Sequence, residues 1–407
     1  MFIIAVKVLL FGATIAACVF YLFAVLTAVR FFGEQHAAPS STLQPVSILI
    51  PLCGVDEGAY ASYAAFCLQD YPAYQIVFGT RDPLDPAIPT VHRLITDFPE
   101  QDIALMVCAN TVGANPKVSN LYNMLACVKY EWMVIVDSDI RVDPTYLRHI
   151  MPFLADQRIG LVTCLYRAAR APTCAARLEA IGLTTGFIPG VLAAWLLEGM
   201  HFALGATMAT TRTTLKAIGG LQAIGDYLVD DFMLGYLVAK AGYEVRLAHY
   251  VVETVLAPMG CSGMLKHQLR WSRSRRFVRP GGYFGTVLTH GTVLAFLTLL
   301  LYHSTELSQV LLAVTLSIRL GMGWLIGVCW LQDEVLQHYF WLLPLCDLLN
   351  FGIWGLGLFG RRVEWRGRRL TIGGGGKIVQ VRQVITGIPC RRQRWSLPYV
   401  LASMLRR

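Results

Sequence analysis

The sequence predicts an α/β enzyme domain with a mainly parallel sheet, held between an N-terminal transmembrane anchor and C-terminal membrane helices. Two observations carry this. The middle of the chain alternates short apolar runs with helical patterns, and both flanks carry long apolar stretches. Of the 407 residues, 55% are apolar and 15% charged, which excludes a disordered chain and a purely solvent-facing one. The formal charge of +9 suits nucleic acid, anionic headgroups or a phosphorylated substrate, and does not by itself choose among them.

The first segment, Met1 to Val29, is apolar apart from Lys7 and exceeds the roughly 7 to 15 residues of a signal-peptide core. An anchor over 1–30 is expected, although Ala37 and Ala38 resemble a small-residue cleavage site. Within 45–280, Val46 to Pro51, Gln75 to Gly79, Ile103 to Val107 and Trp132 to Val136 read as buried strands. Gly58 to Leu68, Pro86 to Asp97 and Lys117 to Val128 lie between them and read as helices. Such alternation implies parallel strands covered on both faces, with ligands at the strands' carboxyl ends.

From 284 to 360, Phe284 to Tyr302, Ser308 to Trp330 and Tyr339 to Phe359 are each near the ~20 residues a membrane-crossing helix needs. Arg270, Arg273, Arg275, Arg276 and Arg279 against the single Lys7 place the central domain on the cytosolic side. Arg361, Arg362, Arg366, Arg368 and Arg369 open a basic segment, 361–407, that the same rule also wants inside. One apolar segment must then re-enter. Tyr339 to Phe359, with Pro344, Asp347 and Asn350, is the candidate. Arg319 stands within the preceding span, either paired, snorkelling or functional. The eleven cysteines form no CxxC pair and no zinc spacing, so any metal is expected on carboxylates.

The chemistry-bearing residues follow the strands. Asp137 and Asp139, in Trp-Met-Val-Ile-Val-Asp-Ser-Asp, suit a hard divalent ion, Mg²⁺ or Mn²⁺, that bridges a diphosphate. The same residues also suit a turn or helix cap. Asp82 and Asp85 stand in two Asp-Pro turns, where Asp82 can alternatively meet a uracil or ribose. Asp230 and Asp231 sit at a helix start, as caps or, for Asp231, as a general base. Lys117 begins a helix and faces a phosphate or solvent, and Arg270 and Trp271 either clamp phosphate charge or lie on anionic lipid.

In order and spacing these pieces resemble the GT-A glycosyltransferases, and within them the ceramide glucosyltransferase-like group. The resemblance runs from about Pro45 to Gly367 through Gln69-Asp-Tyr-Pro, Arg81-Asp-Pro-Leu-Asp-Pro, Gly113-Ala-Asn-Pro-Lys-Val-Ser-Asn, Asp137-Ser-Asp, Asp230-Asp, Arg270-Trp and Trp365-Arg-Gly. It implies a GT-A fold, a UDP-sugar donor, a membrane lipid acceptor and no nucleic-acid partner. It also implies that Asp82, Lys117, Asp137, Arg270 and Trp271 meet the nucleotide-sugar, Asp137 and Asp139 the metal, and that Asp231 is the catalytic base of an inverting transfer. His267 departs from the Gln or Arg that relatives often show there.

The wording around Cys53, Ser119 and Ile140 resembles the bacterial hopanoid glycosyltransferases, which implies N-acetylglucosamine, bacteriohopanetetrol and a bacterial inner membrane. Ceramide with UDP-glucose is the alternative. A processive polysaccharide synthase needs more membrane helices than the three C-terminal candidates, and a non-catalytic lipid-binding protein leaves the full set of carboxylates unexplained.

Overall fold

The computed structural model describes residues 1–34 and 43–383; the remainder of the basic segment lies outside the described residues. The central sheet has eight strands in the order β3-β2-β1-β4-β7-β6-β8-β5. Its first half joins β1 (Val46–Pro51), β2 (Tyr74–Thr80), β3 (Asp102–Val107) and β4 (Trp132–Ile135) by parallel pairings. The expected strands are thus present to within a residue or so at each end. Antiparallel β7 (Met208–Thr211) then connects this half to β6 (Ile159–Arg170), which runs parallel to β8 (Glu244–Val255), while β5 (Ile140–Arg141) closes the far edge.

Every residue of β1 and β4 is buried, the consequence of a sheet covered on both faces. Successive side chains take opposite sides. Ile48, Ile50 and Val134 pack against Tyr63 and Phe66 of the helix Ala59–Cys67, and Leu49, Met133 and Ile135 against Leu121 and Met124 of the helix Pro116–Met124. The latter helix starts where expected because the Asn115 side chain accepts from the backbone N–H of Lys117 at 2.8 Å and Pro116 takes the first turn. Ala24, Ala28 and Phe31 of the helix Phe2–Gly33 join the same core, so this N-terminal helix is packed onto the sheet domain.

Among the described residues, four helical stretches are long and apolar enough to cross a membrane: Phe2–Gly33, Cys174–Glu198, Glu306–Trp330 and Glu334–Gly357. Cys174–Glu198 was not legible as one of them. The first expected C-terminal span is two helices, Pro280–Thr289 and Gly291–Leu301, bent by 58°. The irregular candidate Tyr339 to Phe359 instead contains a regular helix, Leu343–Gly357, with Pro344 in its tolerated first turn. Arg319 and Asp347 explain each other: the guanidinium donates to the carboxylate at 2.6 and 3.0 Å, and Thr292 donates to it at 2.5 Å.

Two arginines of the cluster that sets the expected orientation are committed within the protein. Arg273 donates to the carbonyls of Phe359 and Arg362, and Arg276 to those of Leu358 and Gly360, where a helix C-terminus attracts cations. The first part of the basic segment folds as an antiparallel sheet of β9 (Arg362–Trp365), β10 (Arg368–Ile372) and β11 (Ile378–Gln383). Val363, Leu370, Ile372 and Ile378 pack on Leu228, which docks this sheet just ahead of Asp230 and Asp231 in the chain. Positive φ at Arg366 (45°) and Gly367 (73°) closes the two-residue β9–β10 turn and presents Arg366 at its tip.

Candidate active site

Loops leaving the carboxyl ends of β1, β2 and β4 build one face of the site. Asp137 and Asp139 follow β4, and Asp56 follows β1 and accepts from the Ser138 hydroxyl at 2.5 Å. Asp56 also pairs with Arg366 at 3.2 Å, across more than three hundred residues of sequence. Lys117 Nζ lies 2.7 Å from Asp137 and 3.2 Å from Asp230, so its ammonium sits between the two acidic motifs. Burial works against that charge, but Asp137, Asp230 and Asp231 outweigh it and hold the ammonium more basic than an ordinary lysine.

The helix Asp230–Lys240 delivers Asp231, whose carboxylate accepts from the N–H of Phe232 at 2.8 Å. Burial, then the neighbouring Asp230, push the Asp231 carboxyl up to about 6 against the pull of Lys117. Gly205, in the turn between the bridge-paired Leu204 and Thr207, adjoins it. A Cβ on Gly205 would lie 3.1 Å from an oxygen of Asp137 and 3.1 Å from one of Asp231. The two carboxylates therefore face one small space that a methyl group at position 205 would crowd.

Burial, then Asp137 and Asp56, raise Asp139 to about 7, with the Thr254 hydroxyl opposing by a 3.2 Å hydrogen bond. This local surplus of negative potential is the environment a divalent cation relieves. Among the described residues no three His, Cys, Asp or Glu side chains converge as a closed cage. Two hard carboxylates at an open edge instead fit Mg²⁺ or Mn²⁺, which complete their shells with phosphate and water.

The opposite wall comes from the helix Cys261–Val278. Arg270 is drawn down to about 10 by burial, against the attraction of Asp231, Glu179 and Asp137. Trp271 lies 6.3 Å from the Phe187 ring, and Phe187 lies 5.9 Å from Tyr166. The Tyr166 hydroxyl is held far above its ordinary range by burial, then by Asp231, Asp137 and Asp139, which ties this aromatic wall to the carboxylates. His267 Nδ1 donates to the Glu179 carboxylate at 2.7 Å, and its ring rests 4.9 Å from Trp271.

Asp82 stands apart on an exposed loop, where it accepts from the Leu84 N–H at 2.9 Å. Since β2 is two strands from β4, roughly 10 Å separates their ends, a span suited to the two halves of a nucleotide. Asp85 is structural: it accepts from the N–H groups of Gly54 and Ala87 and from the Thr80 hydroxyl.

The structure thus brings Lys117, Asp137, Asp139, Asp231, Arg270 and Trp271 together, and adds Asp56, Tyr166, Gly205 and Arg366. Asp56 carried the same signal as Asp82 and Asp137, a carboxylate just past a buried strand.

The sequence matches the family model described as glycosyl transferase family 21 over residues 9–378. The chain belongs to glycosyl transferase family 21. Two similar curated proteins are ceramide glucosyltransferase 3 of Caenorhabditis elegans, 23% identical over 278 residues, and ceramide glucosyltransferase of Candida albicans, 31% identical over 130. These matches cover 66% and 29% of this chain and 59% and 24% of the relatives, so the chain spans less than two thirds of the length of the curated relatives it matches. Among solved structures, a mannosyltransferase from Pyrobaculum calidifontis, in complex with GDP-Man and Mn²⁺, has a TM-score of 0.52 at 17% identity, covering 88% of this chain and 99% of that one. The family 21 chain accordingly has the GT-A fold, as its motifs imply.

Proposed function

We propose that this family 21 protein transfers a single sugar from a nucleotide-sugar, a UDP-sugar by preference, to a hydroxyl of a membrane lipid with inversion at the anomeric carbon. The observation that carries this reading is the shared space between Asp137 and Asp231 beneath Gly205. One carboxylate belongs to the diphosphate-side motif and the other, held up to about 6, is matched to accept a proton near neutral pH. Asp231 takes the proton from the lipid hydroxyl as its oxygen attacks the anomeric carbon, and the bond to the nucleoside diphosphate breaks on the opposite side.

Asp137 and Asp139 would hold a divalent cation, which would supply charge neutralisation for the departing diphosphate; the Mn²⁺ in the Pyrobaculum calidifontis mannosyltransferase supports this. Lys117, Arg270 and Arg366 add fixed positive charge on the same side, which stabilises developing negative charge without reorganisation. Asp82 orients the base or ribose of the nucleotide, and Trp271, Phe187 and Tyr166 line the way in from the membrane helices. The arginines of the helix Cys261–Val278 favour a cytosolic catalytic domain.

Ceramide is the preferred acceptor, because the curated relatives are named for it. Bacteriohopanetetrol, with N-acetylglucosamine and a bacterial inner membrane, is the second reading, on the wording around Cys53, Ser119 and Ile140. Purified protein in detergent with Mg²⁺ or Mn²⁺, offered UDP-glucose or UDP-N-acetylglucosamine with each lipid, tests both. A lipid heavier by one sugar, read by mass spectrometry, is the expected product. A ladder of oligomers, or UDP binding without turnover in every pairing, contradicts the proposal.

A further inference from the structure

Glu179 lies on the helix Cys174–Gly182, whose other buried residues are Ala175, Ala176, Leu178, Ala180 and Ile181. It is only 4% exposed, in a segment apolar enough to cross a membrane. A carboxylate in such surroundings is costly unless both its oxygens are satisfied. One oxygen is: Oε1 lies 2.7 Å from His267 Nδ1. The other, Oε2, is buried with no hydrogen-bond partner among the described residues. An orphaned charged acceptor of this kind is costly, and its presence calls for a function.

Its position supplies one. His267 stacks near Trp271, Trp271 meets Phe187, and Phe187 meets Tyr166, which lies in the field of Asp231. The charges of Asp231 and Glu179 both act on Arg270, so one guanidinium lies in the field of the two carboxylates.

Building on the functional reading above, we infer that Glu179 Oε2 is a specificity-determining acceptor for a second hydrogen-bond donor of the lipid, an N–H or O–H beside the reacting hydroxyl. The substrate class is then a lipid alcohol with a neighbouring donor, such as a sphingoid amide or a polyol. A diacylglycerol, whose hydroxyl is flanked by ester oxygens that only accept, is rejected. Sites built to bond a substrate N–H or O–H reject analogues lacking it by large factors.

The test compares kcat/KM for a short-chain ceramide and a short-chain 1,2-diacylglycerol, with UDP-glucose or UDP-N-acetylglucosamine, in the wild type, Glu179→Gln, Glu179→Ala and His267→Gln. UDP binding is measured in each as the check on folding and on the nucleotide side. The wild type is expected to prefer ceramide by about 100-fold or more. Both Glu179 variants should lose most of that preference through a raised ceramide KM with UDP affinity kept, and His267→Gln should retain it. An unchanged preference in a folded Glu179 variant overturns the inference. So does a fall in UDP affinity with the preference intact, which confines Glu179 to holding His267. Equal use of both lipids by the wild type overturns it while leaving lipid glycosylation standing; no turnover of either, nor of bacteriohopanetetrol offered in the same assay, removes both.

Discussion

Two regions of this molecule bury carboxylates beside a cation, and they do so in opposite ways. In the helical region Arg319 and Asp347 are matched one to one, both fork nitrogens of the guanidinium are used, and Thr185 and Thr292 satisfy what remains. At the sheet edge Lys117 is shared between Asp137 and Asp230 while Asp139 and Asp231 remain without an ion-pair partner among the described residues. The first arrangement is complete and does structural work. The second leaves two carboxylates raised by burial first and by acidic neighbours second, a strain that a metal ion and an incoming proton would relieve.

The comparison breaks most sharply at Asp231. Asp231→Asn keeps the shape and removes the base, so turnover should fall by about 10²–10⁴-fold, the usual contribution of general base catalysis, with UDP binding retained. Gly205→Ala should also suppress turnover by more than about tenfold, because its methyl enters the space between Asp137 and Asp231. Steady-state kinetics beside UDP titration checks both.

The helical pair should answer only in stability. Arg319→Met alone leaves Asp347 buried without its cation and should destabilise by roughly 3–5 kcal/mol, whereas Arg319→Met with Asp347→Leu should recover most of that loss. Thermal unfolding in detergent distinguishes the two, and a double variant as unstable as the single one would contradict the structural role.

The pH responses separate the regions further. As a base, Asp231 must be ionised, so kcat/KM should fall about tenfold per unit as pH drops below about 6. Stability moves the other way. Asp139 and Asp231 bind protons more tightly folded than unfolded, so their ionisation weakens the fold as pH rises from about 4 through about 6 to 7. Asp139→Asn should therefore raise the unfolding temperature at pH 8 by a few degrees while impairing metal-dependent turnover. The smallest effect is expected at exposed Asp82, where Asp82→Ala removes one hydrogen-bond partner and should raise the nucleotide-sugar KM roughly 2- to 10-fold.

The four parallel strands and Asp137, Asp139 and Asp231 were legible because strand ends and acidic motifs are local signals. What was hidden is non-local. Arg366 reaches Asp56 only because Val363 and Leu370 find their apolar partner at Leu228. The long antiparallel return through β6, β7 and β8 mixes polar residues such as Thr163 and Thr210 into buried positions, where Thr163 bonds the carbonyls of Leu204 and Thr207, and no simple alternation reveals it. Glu179 is invisible for a related reason: a single acidic residue in an alanine-rich helix says nothing until His267 is seen beside it.

The most direct measurement is the product of one reaction run with wild type and Asp231→Asn in detergent, with Mn²⁺, UDP-glucose and a ceramide, its mass and anomeric configuration read by mass spectrometry and NMR. A single-sugar lipid with the anomeric configuration opposite to the donor's, made by the wild type and absent from a variant that still binds UDP, is the expected result. The same product from Asp231→Asn at an undiminished rate, or retention of the donor's configuration, would contradict the assignment of Asp231 as the base of a single inverting displacement.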